Sequence, residues 1–190
     1  ITQTRQTVLN IKRKHRLSQT LTLLLLYAHA WWQAQSVPRS YCTIMLIQAR
    51  PRDETQKNQF SLAHYQLPYS ASIHSLAHRI QQQTPLANAF SRQLGYVLRQ
   101  SHRLPFSLCQ RAVTNISQAD ICLSFLPVSL RPLSILGHPI HHHRLHRLDQ
   151  SNGVFASVFL DHDQLHHSIS LSDQALQDKH FIDTLQSTVF

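Results

Sequence analysis

Apolar residues at helical spacing dominate the first part of the chain. Leucine, alanine and tryptophan side chains between Leu17 and Trp32 recur every three or four residues, which predicts an amphipathic helix packed on a core. Pro38 ends that segment, because the residue before a proline is held out of the helical conformation. The apolar run over residues 41–49 then predicts a central strand, and the alternation over 60–67 predicts a second strand beside it.

Two further helices are expected in the middle of the chain. The first covers residues 70–83 and carries its apolar side chains on one stripe. The second starts at Thr84 and Pro85, because proline is favoured in the first turn of a helix, and it ends before Pro105.

The C-terminal part carries the clearest hairpin pattern. Residues 154–160 and 165–171 alternate on either side of an Asp- and His-rich turn, and pairing Leu160 with Leu165 places most apolar side chains on one face. A preceding strand is expected over residues 120–130.

Pro127 in that strand indicates an edge position or a bulge. Ser172 and Asp173 cap a last helix after the hairpin. The order of elements predicts a single α+β domain, with a mainly antiparallel sheet, helices packed on one face, and a C-terminal β-hairpin followed by a helix.

The N-terminal segment also permits a targeting function. Residues 1–38 are expected to form a basic segment with an amphipathic helix, and residues 39–190 the α+β domain. Within 12–36, a basic run followed by apolar residues is also typical of an export signal or a membrane anchor, or of surface membrane association through the basic start. We expect a cytoplasmic protein, with export or membrane anchoring as the alternative.

The composition narrows the classes of function. Eighteen Lys and Arg residues face nine Asp and Glu, a net charge of +9 that favours an anionic partner such as nucleic acid, an acidic lipid or an acidic protein. Only three glycines occur, so neither a dinucleotide-binding loop nor a P-loop can form. The three cysteines include no CxxC pair, which excludes a zinc ribbon and argues against a disulfide framework.

Phosphate contacts are expected from arginines in two segments. One group lies on or just after the second central helix and the other lies before the hairpin: Arg92, Arg99, Arg103, Arg144 and Arg147. These residues make nucleic acid the preferred partner.

Five histidines cluster in residues 138–146, a spacing that could hold zinc or another divalent transition metal. The ligand set that we consider is His138, His141, His143 and His162. The leading expectation is that no cofactor is bound, because exposed histidines without a metal are the simpler explanation of the cluster, and the metal site is the alternative.

The leading hypothesis is a small basic protein that binds an anionic partner, most simply nucleic acid, without catalysis. The first alternative is a metal-dependent or histidine-based hydrolase or phosphoesterase that uses the cluster at 138–146. The second alternative is an exported or membrane-anchored protein.

Overall fold

The computed structural model of the chain describes residues 2–34, 40–49, 60–70, 72–99, 103, 105–107, 119–127, 134–135, 138–139, 153–161, 164–171, 183–184 and 187. The secondary structure elements follow in the order β1 (Thr2–Thr4), α1 (Arg5–His15), α2 (Gln19–Ala34), β2 (Tyr41–Ala49), β3 (Phe60–Pro68), α3 (Ile73–Arg99), β4 (Ile121–Pro127), β5 (Ser134–Ile135), β6 (His138–Pro139), β7 (Val154–Asp161) and β8 (Gln164–Leu171).

Six of these strands form one sheet in the order β1-β8-β7-β4-β2-β3. The pairs β1–β8, β7–β8 and β2–β3 are antiparallel, whereas β4 runs parallel to both of its neighbours. Parallel strands need a long crossover, and α3 lies in the connection that leads from the β2–β3 hairpin to β4. The predicted α+β domain is confirmed, and its sheet is mixed with a parallel centre.

Helix α2 forms the middle of the core on one face of the sheet. Ser18 caps its N-terminus, because the Ser18 Oγ accepts a hydrogen bond of 3.2 Å from the Leu21 backbone N–H. All residues from Thr22 to Ala28 are buried, so the middle of the helix is enclosed on every side. The helix packs in the core as predicted, and its polar residues Gln19, His29 and Gln33 lie toward its two ends.

Helix α3 runs without a break through Pro85, which contradicts the prediction of two separate helices. Proline lacks the N–H that would bond the carbonyl four residues earlier, so it normally weakens a helix interior. One turn earlier, the Thr84 hydroxyl donates a 2.7 Å hydrogen bond to the Ile80 carbonyl and supports the same segment.

The β7–β8 hairpin has the predicted register, with Leu160 opposite Leu165. Pro127 is the last residue of β4, an interior strand, so this proline ends the strand and does not mark a sheet edge. The predicted last helix lies outside the described residues except for Asp183, Thr184 and Ser187.

Both faces of the sheet carry apolar clusters. The larger cluster joins the helices to one face of the sheet, which we call the helical face. A smaller cluster of Met45, Cys122 and Phe155 lies on the opposite face, which we call the second face.

The described helices do not include one that is long and apolar enough to cross a membrane. The division of the chain after residue 38 stays a prediction.

Candidate functional site

Three of the five arginines expected to bind phosphate lie on or just after α3 in the described part of the chain. Arg92 is exposed on α3 and lines an open cavity of about 470 Å³ with Thr84, Pro85 and Asn88. Arg99 is the last residue of α3, and Arg103 is exposed beyond it. The other two arginines of the set, Arg144 and Arg147, lie outside the described residues, so the five-residue set stays a prediction.

The histidine set cannot be assembled from the described residues. His138 lies in β6, where it pairs with Ile135, whereas His141, His143 and His162 are outside the described part. Across the described ranges, no three His, Cys, Asp or Glu side chains come together as metal ligands. For this part of the chain, the suggestion of metal binding was wrong.

A row of serines crosses the second face. Ser124 on β4 lies beside Ser157 on β7, and Ser157 lies opposite Ser168 on β8. Neighbouring strands are about 4.8 Å apart, so the three hydroxyl groups extend over about 10 Å. Ser157 is fully buried, and its Oγ has no hydrogen-bond partner among the described residues.

The side chains next to this serine row add further chemistry to the second face. In the row on one side of the serines, Cys122 lies between Met45 and Phe155. In the row on the other side, His166 pairs with Phe159. Hydroxyl, thiol and imidazole groups therefore share one face of three neighbouring strands. Sequence reasoning missed this arrangement, since the register between β4 and β7 joins segments that are distant in the sequence.

His167 of β8 is a buried histidine on the helical face, whereas its neighbour His166 lies on the second face. The Tyr27 hydroxyl lies 3.0 Å from Nδ1 of His167, and both side chains are buried. Burial lowers the pKa of His167 to about 3 and raises the pKa of Tyr27 above its usual range. Because both side chains are buried and lie within hydrogen-bond distance of each other, we interpret this pair as a contact that stabilises the fold.

Asp120 joins the starts of three strands. Its carboxylate accepts hydrogen bonds of 2.7 Å from both the backbone N–H and the hydroxyl of Thr43, and its own N–H donates to that hydroxyl. Its carbonyl accepts a 2.8 Å bond from the N–H of Val154. These contacts hold β2, β4 and β7 in the register that aligns the serine row.

Helix α3 covers the open edge of the sheet at β3. The Gln83 amide donates to the Gln66 carbonyl at 2.6 Å and accepts from the Gln66 N–H at 3.2 Å, as a neighbouring strand would. On the second face, His64 of β3 lies near Phe90 of α3, with ring centroids 6.0 Å apart, and burial lowers the pKa of His64.

No protein-family model matches the chain, and no curated protein matches it in sequence. Solved structures do match its fold. A mutant of the starter condensation domain of rhizomide synthetase gives a TM-score of 0.62 at 13% identity, covering 100% of this chain and 45% of that one. The wax ester synthase/diacylglycerol acyltransferase from Marinobacter aquaeolei VT8 gives 0.60 at 11% identity, with coverages of 100% and 46%.

The chain has a condensation-domain-like fold. Polyketide synthase associated protein 5 from Mycobacterium tuberculosis also matches, with a TM-score of 0.55, 14% identity, and coverages of 100% and 50%. The chain thus spans about half the length of these structures.

The condensation-domain-like fold overturns the leading hypothesis. A non-catalytic nucleic-acid-binding protein was the wrong expectation, because the matching structures include condensation domains and an acyltransferase. The matches give no support to the hydrolase that relied on the histidine cluster.

Proposed function

We propose that this chain forms one half of an acyl-transferring domain. The observation that carries the proposal is the match of the whole chain to slightly less than half of a wax ester synthase and of a condensation domain. A second, comparably sized unit then completes the domain, either on the same polypeptide or on another. The reaction joins an activated acyl group to a hydroxyl or amine acceptor.

The balanced reaction is simple when the donor is an acyl thioester. The acceptor oxygen or nitrogen attacks the thioester carbonyl, the C–S bond breaks, and an ester or amide forms while the acceptor proton leaves with the thiol. Such transfer depends on positioned hydrogen-bond donors and on a general base with a pKa near the working pH. The serine row on the second face offers donors, and Ser157 is the member whose hydroxyl has no partner among the described residues.

The test uses the protein purified from its own cells together with any protein that stays bound. Palmitoyl-CoA is supplied with a long-chain alcohol or an amine, and mass spectrometry measures the ester or amide. We expect product from the wild type and a reduced rate from Ser157→Ala. Ser75→Ala, which changes an exposed serine of α3, is the matched control and keeps the wild-type rate.

The outcomes separate two claims. If no donor and acceptor pair gives product, acyl transfer is rejected. If product forms at the same rate in Ser157→Ala, acyl transfer stands and the serine row has no part in it.

Two further expectations belong to this proposal. We propose a cytoplasmic location, which fractionation of cells tests. We also propose that no metal is required, which a chelator control in the transfer assay tests.

A further inference from the structure

Charge is distributed unevenly between the helices and the rest of the chain. The three helices contain seven Lys and Arg residues and no Asp or Glu. All nine acidic residues lie after Arg52 and outside these helices. The helical layer therefore carries positive charge without an acidic side chain of its own to balance it.

Part of this charge gathers where the end of α1 meets the beginning of α3. The ring of His15 lies 5.9 Å from that of His74, and the Gln81 amide donates a 2.9 Å hydrogen bond to the His15 carbonyl. These contacts bring together a group that we call the basic patch: Lys12, Arg13, Lys14, Arg16, His74, His78 and Arg79. All of its members are exposed except Lys12, which is half-buried.

The helix dipoles explain only half of the basic patch. Cations at the C-terminus of α1 are favourable, because that end of a helix carries partial negative charge. Arg79 instead lies in the second turn of α3, where the helix dipole does not favour a cation, and helices α1 to α3 carry no acidic side chain that could pair with it. An external anionic partner would supply the missing negative charge.

An exposed apolar side chain lies close to the basic patch. Leu86 is 73% exposed and follows Arg79 by seven residues, so the two share the solvent-facing side of α3 about 10 Å apart. Exposed cations beside an exposed leucine on one helix face are typical of surfaces that lie in the headgroup region of a bilayer. An anionic bilayer offers both negative headgroups for the cations and an apolar layer for Leu86.

We propose that the basic patch docks this protein on a lipid bilayer with anionic headgroups, and that Leu86 enters the interface beside it. The attraction is diffuse, since each Lys or Arg near such a surface strengthens binding about fivefold at moderate ionic strength. The docking does not depend on acyl transfer and can be tested separately.

The test is sedimentation of the 190-residue chain with vesicles. One set contains phosphatidylcholine alone, and the other contains about one third phosphatidylglycerol. We expect binding only to the second set. The triple variant Arg13→Gln, Lys14→Gln and Arg79→Gln should bind about 100-fold more weakly, and Leu86→Ser should bind more weakly without losing the preference for anionic vesicles.

A charge-conserving triple variant is the matched control. Arg13→Lys, Lys14→Arg and Arg79→Lys keep every charge and should bind as the wild type does, whereas circular dichroism verifies that both triple variants fold. The proposal is overturned if the wild type binds neither set, binds both equally, or binds as weakly as the glutamine variant. It is also overturned if the chain binds polyglutamate but not the anionic vesicles, which would identify an acidic protein as the partner.

Discussion

Mild acid should destabilise this protein through His167. In the folded state the imidazole is buried against the Tyr27 hydroxyl, and its pKa is lowered to about 3. In the unfolded chain the pKa returns to about 6.5. Below that pH the histidine binds a proton in the unfolded state but stays neutral in the folded state. The contribution of His167 to the free energy of unfolding is therefore fully present above about pH 6.5 and decreases as the pH falls toward 3.

The size of the effect follows from these two values. Between about pH 7 and about pH 5, the unfolded state gains about three quarters of a proton, and the free energy of unfolding falls by about 2 kcal/mol from this residue alone. His15, His29 and His64 also have pKa values lowered mainly by burial, so they act in the same direction. The contribution of His167 must therefore be measured as a difference.

Urea unfolding followed by tryptophan fluorescence at the two pH values measures that difference. His167→Asn places a neutral acceptor near the position of Nδ1 and does not titrate, so the variant should lose about 2 kcal/mol less than the wild type over the same pH interval. Tyr27→Phe should lower the stability by about 1 kcal/mol at neutral pH, because one buried hydrogen bond is removed. Equal pH dependence in the wild type and His167→Asn would show that His167 does not cause the loss of stability in acid.

Three further predictions concern the fold and its chemistry. Gly153→Ala should cost about 1–3 kcal/mol in urea unfolding, because the added Cβ would lie 2.7 Å from the Asp120 carbonyl oxygen. Gly95→Ala should stabilise α3 by about 0.5–1 kcal/mol, because the added Cβ meets nothing within 4 Å. Equal effects of Gly153→Ala and Gly95→Ala on stability would contradict the close contact at Gly153. Gln83→Ala should lower the free energy of unfolding by about 1–2 kcal/mol, because two hydrogen bonds to Gln66 are lost. It should also expose the edge of β3 and speed up amide hydrogen exchange in that strand, and unchanged exchange would show that Gln83 does not cover the edge. Purified protein should contain no stoichiometric metal by elemental analysis, and one zinc per chain would reverse this expectation.

The register of the β7–β8 hairpin could be predicted because its information is local, although each strand extends one residue further into the turn than expected. Alternating side chains and a short turn leave one register that places Val154, Ala156 and Ile169 on the same face. The strand at β2 and its return at β3 were predictable for the same reason. Long-range pairing could not be predicted, since alternation along β4 is the same for parallel and antiparallel neighbours.

The candidate site was beyond sequence reasoning for a related reason. Ser124, Ser157 and Ser168 are single serines in three separate segments, and only the pairing of three strands brings them into one row. At Pro85, a local signal gave the wrong prediction. Proline favours the first turn of a helix, but packing along the whole of α3 overrides this preference and the helix continues through Pro85. The basic composition was correctly noted, but positive charge alone does not specify what a protein binds.

Formation of a labelled ester or amide is the measurement that tests the central claim most directly. Isotopically labelled palmitoyl-CoA is given to the protein as it is isolated from its own cells, with a panel of alcohols and amines. We expect transfer of the labelled acyl group to at least one acceptor, with release of free CoA in equal amount. Intact donor after incubation with every acceptor, or release of the labelled fatty acid to water alone, would contradict it.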